Sequence, residues 1–383
     1  MREGWTYKKL GEVATFITDG DWIESKDQSD NGIRLIQTGN VGNGFFKSKE
    51  DKPHFISEDT MDRLDCTEIF EGDCLVSRLP DPVGRACIIP NIGCRMITAV
   101  DCSIIRFGDN YLPHFFVNYS QSSKYRNSIN NNTTGTTRKR ISRKNLEKIP
   151  IPLPPLSEQE RIVSELDLLS SVIEKKKAQL KELDNLAQSI FYDMFGDPVE
   201  NEKGWEVKTI GEIASFHNGK AHENDIDENG KYILINAKFI SSEGVIQKRT
   251  NKQLFSLFEN DIVMVMSDVP NGKALARCYL VKCNNLFSLN QRICAFRDYT
   301  LNSLFLFFVL NRNKYFLRFD DGNGQTNLRK KEVLGCPVIQ PPLSLQQQFA
   351  EKIEAIEKQK EKIKQSIAET ETLFNSRMDY WFS

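Results

Sequence analysis

Two clusters of positively charged side chains follow similar loops in the two halves of the chain. The loops span residues 130–137 and 320–327 and are rich in Asn, Thr and Gly. Guanidinium and ammonium groups bind phosphate oxygens, so a flexible loop followed by such groups indicates a surface that contacts a nucleic-acid backbone. The residues predicted to line this surface are Lys124, Arg126, Arg138, Lys139, Arg140 and Lys144 in the first half, and Lys314, Arg318, Arg329, Lys330 and Lys331 in the second.

Arg85 and Lys273 are further candidates, because each follows a glycine at a matching position of the two halves. A single cation on a protein surface is as often a solvated side chain as a binding residue. The two clusters carry more weight together than singly, because both follow the same kind of loop. Acidic residues balance these cations in the chain as a whole, which carries a formal charge of −1.

No motif for catalysis accompanies these cations. A nucleotide hydrolase needs a GxxxxGK[ST] loop to hold phosphates, and the sequence has none. A DNA amino-methyltransferase needs an Asn/Asp-Pro-Pro-aromatic motif, but Pro-Pro occurs only at 154–155 and 341–342. No spacing of His, Cys and Asp suggests a nucleophile or a metal site. The sequence therefore predicts a non-catalytic chain that holds no metal and no cofactor of its own.

The cysteines and the hydropathy indicate a reducing compartment. Nine cysteines are scattered without a CxxC pair, and most lie in apolar strand-like runs. Buried free thiols explain this pattern better than disulfides or zinc. No apolar run of 18 residues and no signal-peptide pattern is present. We therefore expect a cytoplasmic protein without a membrane partner.

The elements that position the cations are organised around a motif that occurs twice. PIPLPPLSEQERI (150–162) recurs as PVIQPPLSLQQQF (337–349), an offset of 187 residues. Each copy opens a long segment without Pro or Gly, in which apolar residues alternate at spacings of four and three. This heptad pattern predicts a coiled-coil seam. The predicted seam residues are Ile162, Leu166, Leu169, Ile173, Leu180, Leu183 and Ile190 in the first helix, and Phe349, Ile353, Ile356, Ile363, Ile367, Phe374 and Trp381 in the second.

A long apolar stripe cannot remain in water, so the two helices are expected to pair with each other. An antiparallel pair is predicted, with Ile162 near Trp381, and the globular domains at opposite ends. The alternative is two separate helices, each lying on its own domain. Each seam also contains one lysine, Lys176 and Lys360, and a polar seam residue can fix the register of a pair at a cost in stability. Ser157 and Ser344 are candidate N-caps.

The globular segments are also repeated. GWTYKKLGEVATF (4–16) matches GWEVKTIGEIASF (204–216), and the shorter motifs FEGD (70–73) and FEND (258–261) recur in the same order. Short apolar runs between turn residues predict an α+β domain in each copy, built on one curved mixed sheet. The predicted boundaries are 1–150 and 197–337 for the two domains, and 151–196 and 338–383 for the two helices.

The duplicated opening and the PLPPLSEQ entry to a long helix make the chain resemble the specificity subunits of type I restriction-modification systems. The second copy departs from the motif, because Leu345 stands where an acid is usual. The resemblance implies two target recognition domains, each reading half of a bipartite double-stranded DNA sequence, separated by two long antiparallel coiled-coil helices. It implies two modification subunits that use S-adenosylmethionine, and restriction subunits that use ATP and Mg²⁺. The alternative is a coiled-coil scaffold whose globular repeats bind protein.

Overall fold

The computed structural model describes residues 4–135, 138–222, 224–269, 272–322 and 324–383. The chain divides into two compact units. The first unit comprises Met1–Lys177 and Gln365–Ser383, and the second comprises Ala178–Lys364. Each long helix therefore contributes one half to each unit, a division that neither repeat motif alone predicts.

The first unit is built from short strands and helices that lead into a long helix. Two 3₁₀ turns, Ser25–Asp27 and Thr38–Asn40, interrupt its loops. In chain order the elements are β1 (Thr6–Lys9), α1 (Leu10–Val13), β2 (Ala14–Asp19), β3 (Gln28–Ser29), β4 (Ile33–Ile36), β5 (Phe55–Ile56), α2 (Glu58–Leu64), β6 (Glu68–Ile69), β7 (Cys74–Ser77), β8 (Ala86–Ile88), β9 (Met96–Thr98), β10 (Cys102–Phe107), α3 (Pro113–Tyr119), α4 (Ser123–Asn131), α5 (Arg143–Leu146), β11 (Pro150–Leu153) and α6 (Leu156–Phe195).

The second unit has a similar order of elements, with differences among its short strands, and ends in the second long helix. They are β12 (Val207–Thr209), α7 (Ile210–Ile213), β13 (Ser215–Asn218), β14 (Tyr232–Ile235), α8 (Ala237–Ser241), β15 (Lys248–Thr250), β16 (Ile262–Val265), β17 (Ser267–Asp268), β18 (Cys278–Leu280), β19 (Phe287–Leu289), β20 (Ile293–Arg297), α9 (Ser303–Leu310), α10 (Lys314–Leu317), β21 (Thr326–Asn327), α11 (Lys330–Leu334), β22 (Pro337–Ile339) and α12 (Leu343–Phe382).

The two units share one sheet topology. An antiparallel four-stranded sheet has the order β2-β10-β7-β8 in the first unit and β13-β20-β16-β18 in the second. A mixed sheet lies beside it, with β4 parallel to β9 and, correspondingly, β14 parallel to β19. The α+β class and the internal repeat are confirmed, but the expectation of one curved sheet per domain is wrong.

The two sheets remain separate because they enclose a common core. Leu75, Cys87 and Ile104 of the antiparallel sheet form one buried cluster with Ile36 and Ile69 of the mixed sheet. In the second unit the corresponding cluster joins both sheets in the same way. Strands β7 and β16 are buried along their whole length, which explains why they are continuous apolar runs in the sequence. A single sheet would leave one face of these strands exposed to water.

The long helices form an antiparallel pair within each unit. In the first unit, Ile162 and Leu166 share a buried cluster with Met378, Trp381 and Phe382. In the second unit, Ala187 and Phe191 share one with Phe349 and Ile353. Both contacts join the beginning of one helix to the end of the other, so the antiparallel prediction is confirmed.

The predicted seam residues differ in their burial. The buried ones are Ile162, Leu166, Ile173, Phe349, Ile353, Ile356, Ile367 and Trp381. The half-buried ones are Leu169, Leu180, Leu183, Ile190, Ile363 and Phe374. Burial is therefore complete at Ile162, Leu166 and Phe349, where the start of a helix also meets a globular core, and it is less complete at the other seam positions. Phe195 and Phe382, at matching ends of the two helices, are buried against these cores although the seam pattern did not include them.

Each seam lysine contacts the opposite helix, and Lys360 also contacts Glu357 of its own helix. Lys176 Nζ donates to Ser366 Oγ at 2.6 Å and to Thr370 Oγ1 at 3.0 Å. Lys360 Nζ lies 2.7 Å from Asp184 Oδ1 and 2.7 Å from Glu357 Oε1. These hydrogen bonds satisfy ammonium groups that would otherwise lose water in the seam.

Buried glutamines explain the entry motif of the helices. Gln159 Oε1 accepts a hydrogen bond from Leu112 N at 2.8 Å, and its Nε2 donates to Pro154 O at 3.0 Å. Gln346 makes the same pair of contacts, from Asn302 N and to Pro341 O, both at 2.9 Å. Each glutamine therefore ties the first turn of its helix to the globular part of the same unit.

The other motif residues have structural partners too. Glu158 Oε2 accepts from Trp5 Nε1 at 2.9 Å. In the second copy, where Leu345 replaces the acid, Trp205 Nε1 donates to Phe195 O at 2.9 Å instead. The helices begin at Leu156 and Leu343, so the N-cap prediction for the following serines is wrong: Ser157 and Ser344 lie inside the first turn.

All nine cysteines are free. Burial raises the pKa of the Cys87 and Cys102 thiols to about 12, which leaves both protonated and unreactive at neutral pH. In the described part of the chain, no cluster of three or more His, Cys, Asp or Glu side chains is arranged to hold a metal ion. No helix among the described residues is long and apolar enough to span a membrane.

Candidate nucleic-acid interface

Three strand ends and the segment around Arg140 meet at one edge of the β2-β10-β7-β8 sheet. Asp19 ends β2, Arg78 follows β7 and Asp101 precedes β10. Arg78 N donates to Asp101 O at 2.8 Å, and Ile141 N donates to Arg78 O at 3.2 Å. These two backbone hydrogen bonds bring the predicted basic segment, which includes Arg140, against the end of the sheet.

The side chains at this edge form a network of alternating charge. Arg78 Nη1 lies 3.1 Å from Asp19 Oδ2, and Arg140 Nη2 lies 3.1 Å from Asp101 Oδ1. Arg78 is buried, and this burial lowers its pKa although Asp19 opposes the shift. The side chain of Arg140 is 45% exposed. Arg140 therefore presents an oriented guanidinium group to solvent, while Arg78 supports the network from below.

The loop before Arg140 is held by its own backbone. Thr134 N donates to Arg140 O at 2.8 Å, and Arg140 N donates to Thr134 O at 2.9 Å. Gly135 has a φ of +95°, and a Cβ there would lie 2.5 Å from Arg138 O. A larger residue would therefore disturb this turn. Residues 136 and 137 of the predicted loop lie outside the described part of the chain.

The other cations of the first cluster are exposed beside Arg140. Arg138, Lys139 and Lys144 have exposed side chains, and no ion pair is found for them among the residues that the structure describes. Arg143 lies 3.4 Å from Glu147 on the same helical turn. Arg138, Lys139 and Lys144 are therefore available to a polyanion without first breaking an ion pair.

Arg85 does not lie on this surface. Its side chain is buried and donates to Val41 O at 2.7 Å, Thr38 O at 2.7 Å, Leu79 O at 2.8 Å and Pro82 O at 3.1 Å. Burial also lowers its pKa. The guanidinium group is fully used in joining two loops of the first unit, so we withdraw the prediction that Arg85 contacts DNA.

Lys124 and Arg126 both lie on α4 and contact different parts of the first unit. Lys124 Nζ donates to Tyr7 Oη at 3.1 Å and lies 4.7 Å from the centre of the same ring. Arg126 Nη2 donates to Asn43 Oδ1 at 2.7 Å, and burial lowers the pKa of Arg126. No contact among the described residues joins either side chain to the Arg138–Lys144 segment, so the structure does not bring the whole predicted set into one cluster.

The second unit has the same backbone arrangement at the corresponding edge. Met266 N donates to Arg292 O at 3.1 Å, and Leu328 N donates to Met266 O at 2.8 Å. β17 also pairs with β21 here, with Ser267 opposite Asn327. The basic residues Arg329, Lys330 and Lys331 follow directly and have exposed side chains. The loop-and-cation motif therefore occupies the same structural position in both units.

Lys273 is exposed on a loop beside this edge of the second unit. Asp268 Oδ2 accepts from Ala274 N at 2.6 Å and from Leu275 N at 3.0 Å, which holds the backbone around the lysine. No side-chain partner of Lys273 is found in the described ranges. Lys273 is thus accessible, in contrast to Arg85 at the matched position.

The remaining candidates of the second unit have local partners. Lys314 Nζ lies 2.6 Å from Asp197 Oδ2, and this hydrogen bond raises the pKa of Lys314. The guanidinium carbon of Arg318 lies 4.0 Å from the centre of the Tyr315 ring. Lys314 therefore binds the segment that follows α6, and no contact between described residues places it with Arg329–Lys331.

Sequence reasoning missed Asp19, Arg78, Asp101 and Arg292 at these sheet edges. None of them belongs to a motif, and their positions follow from strand pairing between distant segments. The only available signal was the repeat itself: it locates the strands, but it does not show which strand ends share an edge.

Both repeats of the chain match one protein family. The family model described as "Type I restriction modification DNA specificity domain" matches residues 2–185 and 202–372. The StySPI type I restriction enzyme specificity subunit of Salmonella potsdam is 22% identical over 98% of this chain and 87% of that subunit.

Two solved structures have the same fold. One chain, from a study of complex assembly and conformational transition in the type I R-M system, matches with a TM-score of 0.58 at 16% identity, covering 100% of this chain and 98% of that one. The S subunit of the type I restriction-modification system from M. genitalium matches with a TM-score of 0.52 at 14% identity, covering 98% and 95%. Because the family model covers both repeats, the chain belongs to the type I restriction-modification DNA specificity family.

Proposed function

We propose that the chain is the DNA-reading specificity subunit of a type I restriction-modification complex, and that each repeat reads one half of a bipartite double-stranded target. The observation that carries this proposal is the repeated sheet edge. In both units the same two backbone hydrogen bonds hold a loop followed by exposed Arg and Lys side chains. One scaffold used twice suits two contacts with one DNA molecule.

The chain as a whole is almost neutral, so its attraction for DNA must come from local groups of exposed cations. Phosphate contacts set the position of a protein on DNA, and base contacts in the grooves supply specificity. Arg138, Lys139 and Lys144 in the first unit, and Arg329, Lys330 and Lys331 in the second, are the proposed surface for phosphates. Each phosphate contact of this kind releases counterions, so DNA affinity should fall steeply with salt.

We assign the chemistry of the complex to partner subunits. The sequence lacks both the nucleotide-hydrolase loop and the methyltransferase motif, so S-adenosylmethionine, ATP and Mg²⁺ are proposed to bind elsewhere in the complex. In the proposed complex this chain directs two modification subunits to methylate the target, and the addition of restriction subunits gives cleavage. The paired helices are the proposed spacer between the half-sites and the support for the modification subunits.

The experiment that tests this function uses the full chain together with the modification subunits of the proposed complex. The complex is titrated with a pool of random duplexes at low and at moderate salt, and the bound fraction is sequenced. The expected result is one enriched bipartite sequence, whose methylation appears in a host genome only when this gene is present. Binding without any enriched sequence, or no binding at either salt concentration, would instead favour a scaffold whose globular repeats bind protein.

A further inference from the structure

Backbone pairing assigns corresponding positions at the two sheet edges without reference to side chains. Asp19 pairs with Ser103 in the first unit, as Asn218 pairs with Cys294 in the second. The hydrogen bond from Arg78 N to Asp101 O corresponds to the one from Met266 N to Arg292 O. The bond from Ile141 N to Arg78 O likewise corresponds to the one from Leu328 N to Met266 O. The residues just before these last two, Arg140 and Asn327, therefore correspond as well.

Four side chains at this common frame differ completely between the units. The pairs are Asp19 and Asn218, Arg78 and Met266, Asp101 and Arg292, and Arg140 and Asn327. In the first unit they form a charged network, with Arg140 held by Asp101. In the second unit Asn218, Arg292 and Asn327 are exposed, and no ion pair joins them within the described residues.

The neighbouring positions keep their character. Ile141 and Leu328 are both buried. Arg143 corresponds to Lys330 and Lys144 to Lys331, so two basic residues follow the frame in each unit. Arg138 and Lys139 correspond to Gln325 and Thr326, so the change of side chains covers residues 138–140, whereas the basic pair that follows the frame is kept in both units.

This contrast separates two kinds of DNA contact. The phosphate backbone is nearly the same for every sequence, so side chains that contact it can remain basic in both repeats. Base edges differ between two half-sites, so side chains that read them must differ. The invariant basic positions fit phosphates, and the variable sheet-edge positions fit bases.

We propose that Arg140 reads a guanine in the first half-site, and that the corresponding Asn327 reads an adenine in the second. Arg forms two hydrogen bonds with guanine O6 and N7, and Asn forms two with adenine N6 and N7. Asp101 is a positioning residue, because its carboxylate orients the guanidinium group of Arg140 before DNA binds. This assignment rests on the proposed function.

The test selects bound sequences from a random duplex pool with full-length variants in complex with the modification subunits. Arg140→Ala should lose the preference for one G·C pair in the first half-site, a discrimination on the order of 10- to 100-fold, and leave the second half-site unchanged. Asn327→Ala should relax one A·T pair in the second half-site only. Asp101→Asn should weaken the same G·C preference as Arg140→Ala, and Asp101→Glu should restore part of it.

Lys144→Gln and Lys331→Gln are the matched controls. Each should lower affinity for all sequences equally and reduce the salt slope by about one unit, with the selected sequence unchanged. Arg140 and Asn327 are exposed, so we expect their variants to fold. A melting temperature equal to that of the wild type checks this.

Two outcomes overturn the base-reading assignment. One is that Arg140→Ala and Asn327→Ala select the unchanged sequence. The other is that they behave like the lysine controls, losing affinity without losing any base preference. Failure of the proposed function would look different, because then the unmodified chain itself would select no sequence.

Discussion

Arg85 and Lys273 show that the type and sequence position of a cation do not decide its role. Both follow a matched glycine and precede an alanine. Arg85 donates to four backbone carbonyls inside the first unit, whereas Lys273 is exposed. The planar guanidinium group can serve several carbonyls at once, and an ammonium group at the end of a flexible chain cannot replace it in that geometry.

Replacing Arg85 with Ala should destabilise the first unit strongly. The change leaves buried carbonyl groups of two loops without donors, and we expect the free energy of unfolding to fall by roughly 3 to 5 kcal/mol. For a unit of this size that corresponds to a decrease in melting temperature of about 10 °C, measured by calorimetry. Arg85→Lys should recover only part of the loss.

Lys273→Ala is the matched control for Arg85→Ala. An exposed side chain without an ion pair should change the free energy of unfolding by less than about 0.5 kcal/mol. Equal stability losses for the two variants would contradict the buried role of Arg85. A loss of DNA affinity in Arg85→Ala with an unchanged melting temperature would restore it to the DNA-contact surface.

At the scale of elements, ionic contacts add to the apolar seam of the helix pair. Glu165 accepts hydrogen bonds from Arg377, with Nη2 at 3.0 Å, and from Trp381 Nε1 at 3.1 Å. The hydrogen bond from Arg377 lowers the pKa of Glu165. The pKa of this carboxyl group is therefore lower in the folded state than in the unfolded state, where it is about 4.3. The contact stabilises the fold above about pH 4.3 and loses its effect as the pH falls through the lowered pKa.

Glu165→Gln should therefore lower the melting temperature of the first unit at about pH 7, and its difference from wild type should shrink as the pH falls below about 4.3. Gln keeps an acceptor for Trp381, so the change removes mainly the charge. Glu160→Gln on the same helix is the control, because Glu160 is exposed and no ion pair is found for it among the described residues. A stability difference between wild type and Glu165→Gln that did not shrink in acid would contradict the assigned ion pair.

The elements were more predictable from the sequence than the site. Heptad spacing located both long helices to within a few residues, because a seam repeats one physical requirement many times. The acids that end the repeated FEGD and FEND motifs also belong to the scaffold. Asp73 forms an ion pair with Arg106 at 2.7 Å, and Asp261 forms one with Arg297 at 2.5 Å. Motifs that two repeats share thus indicate structure.

Residues proposed to read bases must differ between the repeats, so a search for shared motifs cannot find them. Arg140 was predicted as a member of a basic cluster, but its support from Asp101 depends on strand pairing between segments far apart in sequence. The burial of Arg85 likewise depends on the carbonyls of Thr38 and Val41, which lie 47 and 44 residues away along the chain. Neither contact has a local sequence signal.

At the scale of the whole molecule, each unit has its own buried cores. Free energies of base reading in the two units should then be nearly additive, as they are for distant sites. Replacing residues 1–150 with the equivalent domain of a relative should change one half of the methylated sequence and leave the other half unchanged. Methylome sequencing of the chimera measures this directly, and a swap that rewrote both halves would show that the units read DNA jointly.

Lengthening the helix pair should have a different effect from exchanging a domain. Seven residues inserted after Leu180, with a matched seven after Lys364, lie next to the division between the units and keep the heptad register on both helices. The insertion extends each helix by roughly 10 Å, about the rise of three base pairs.

The two half-site sequences should stay the same in this variant, because the sheet edges proposed to read them are untouched. The number of base pairs between the half-sites should increase, or DNA binding should be lost if the duplex cannot supply the new spacing at a matching rotation. Insertion in α6 alone is the control, because the new heptad then has no added residues opposite it in α12. A methylated sequence with altered half-sites and unchanged spacing would show that the helices do not act as the spacer.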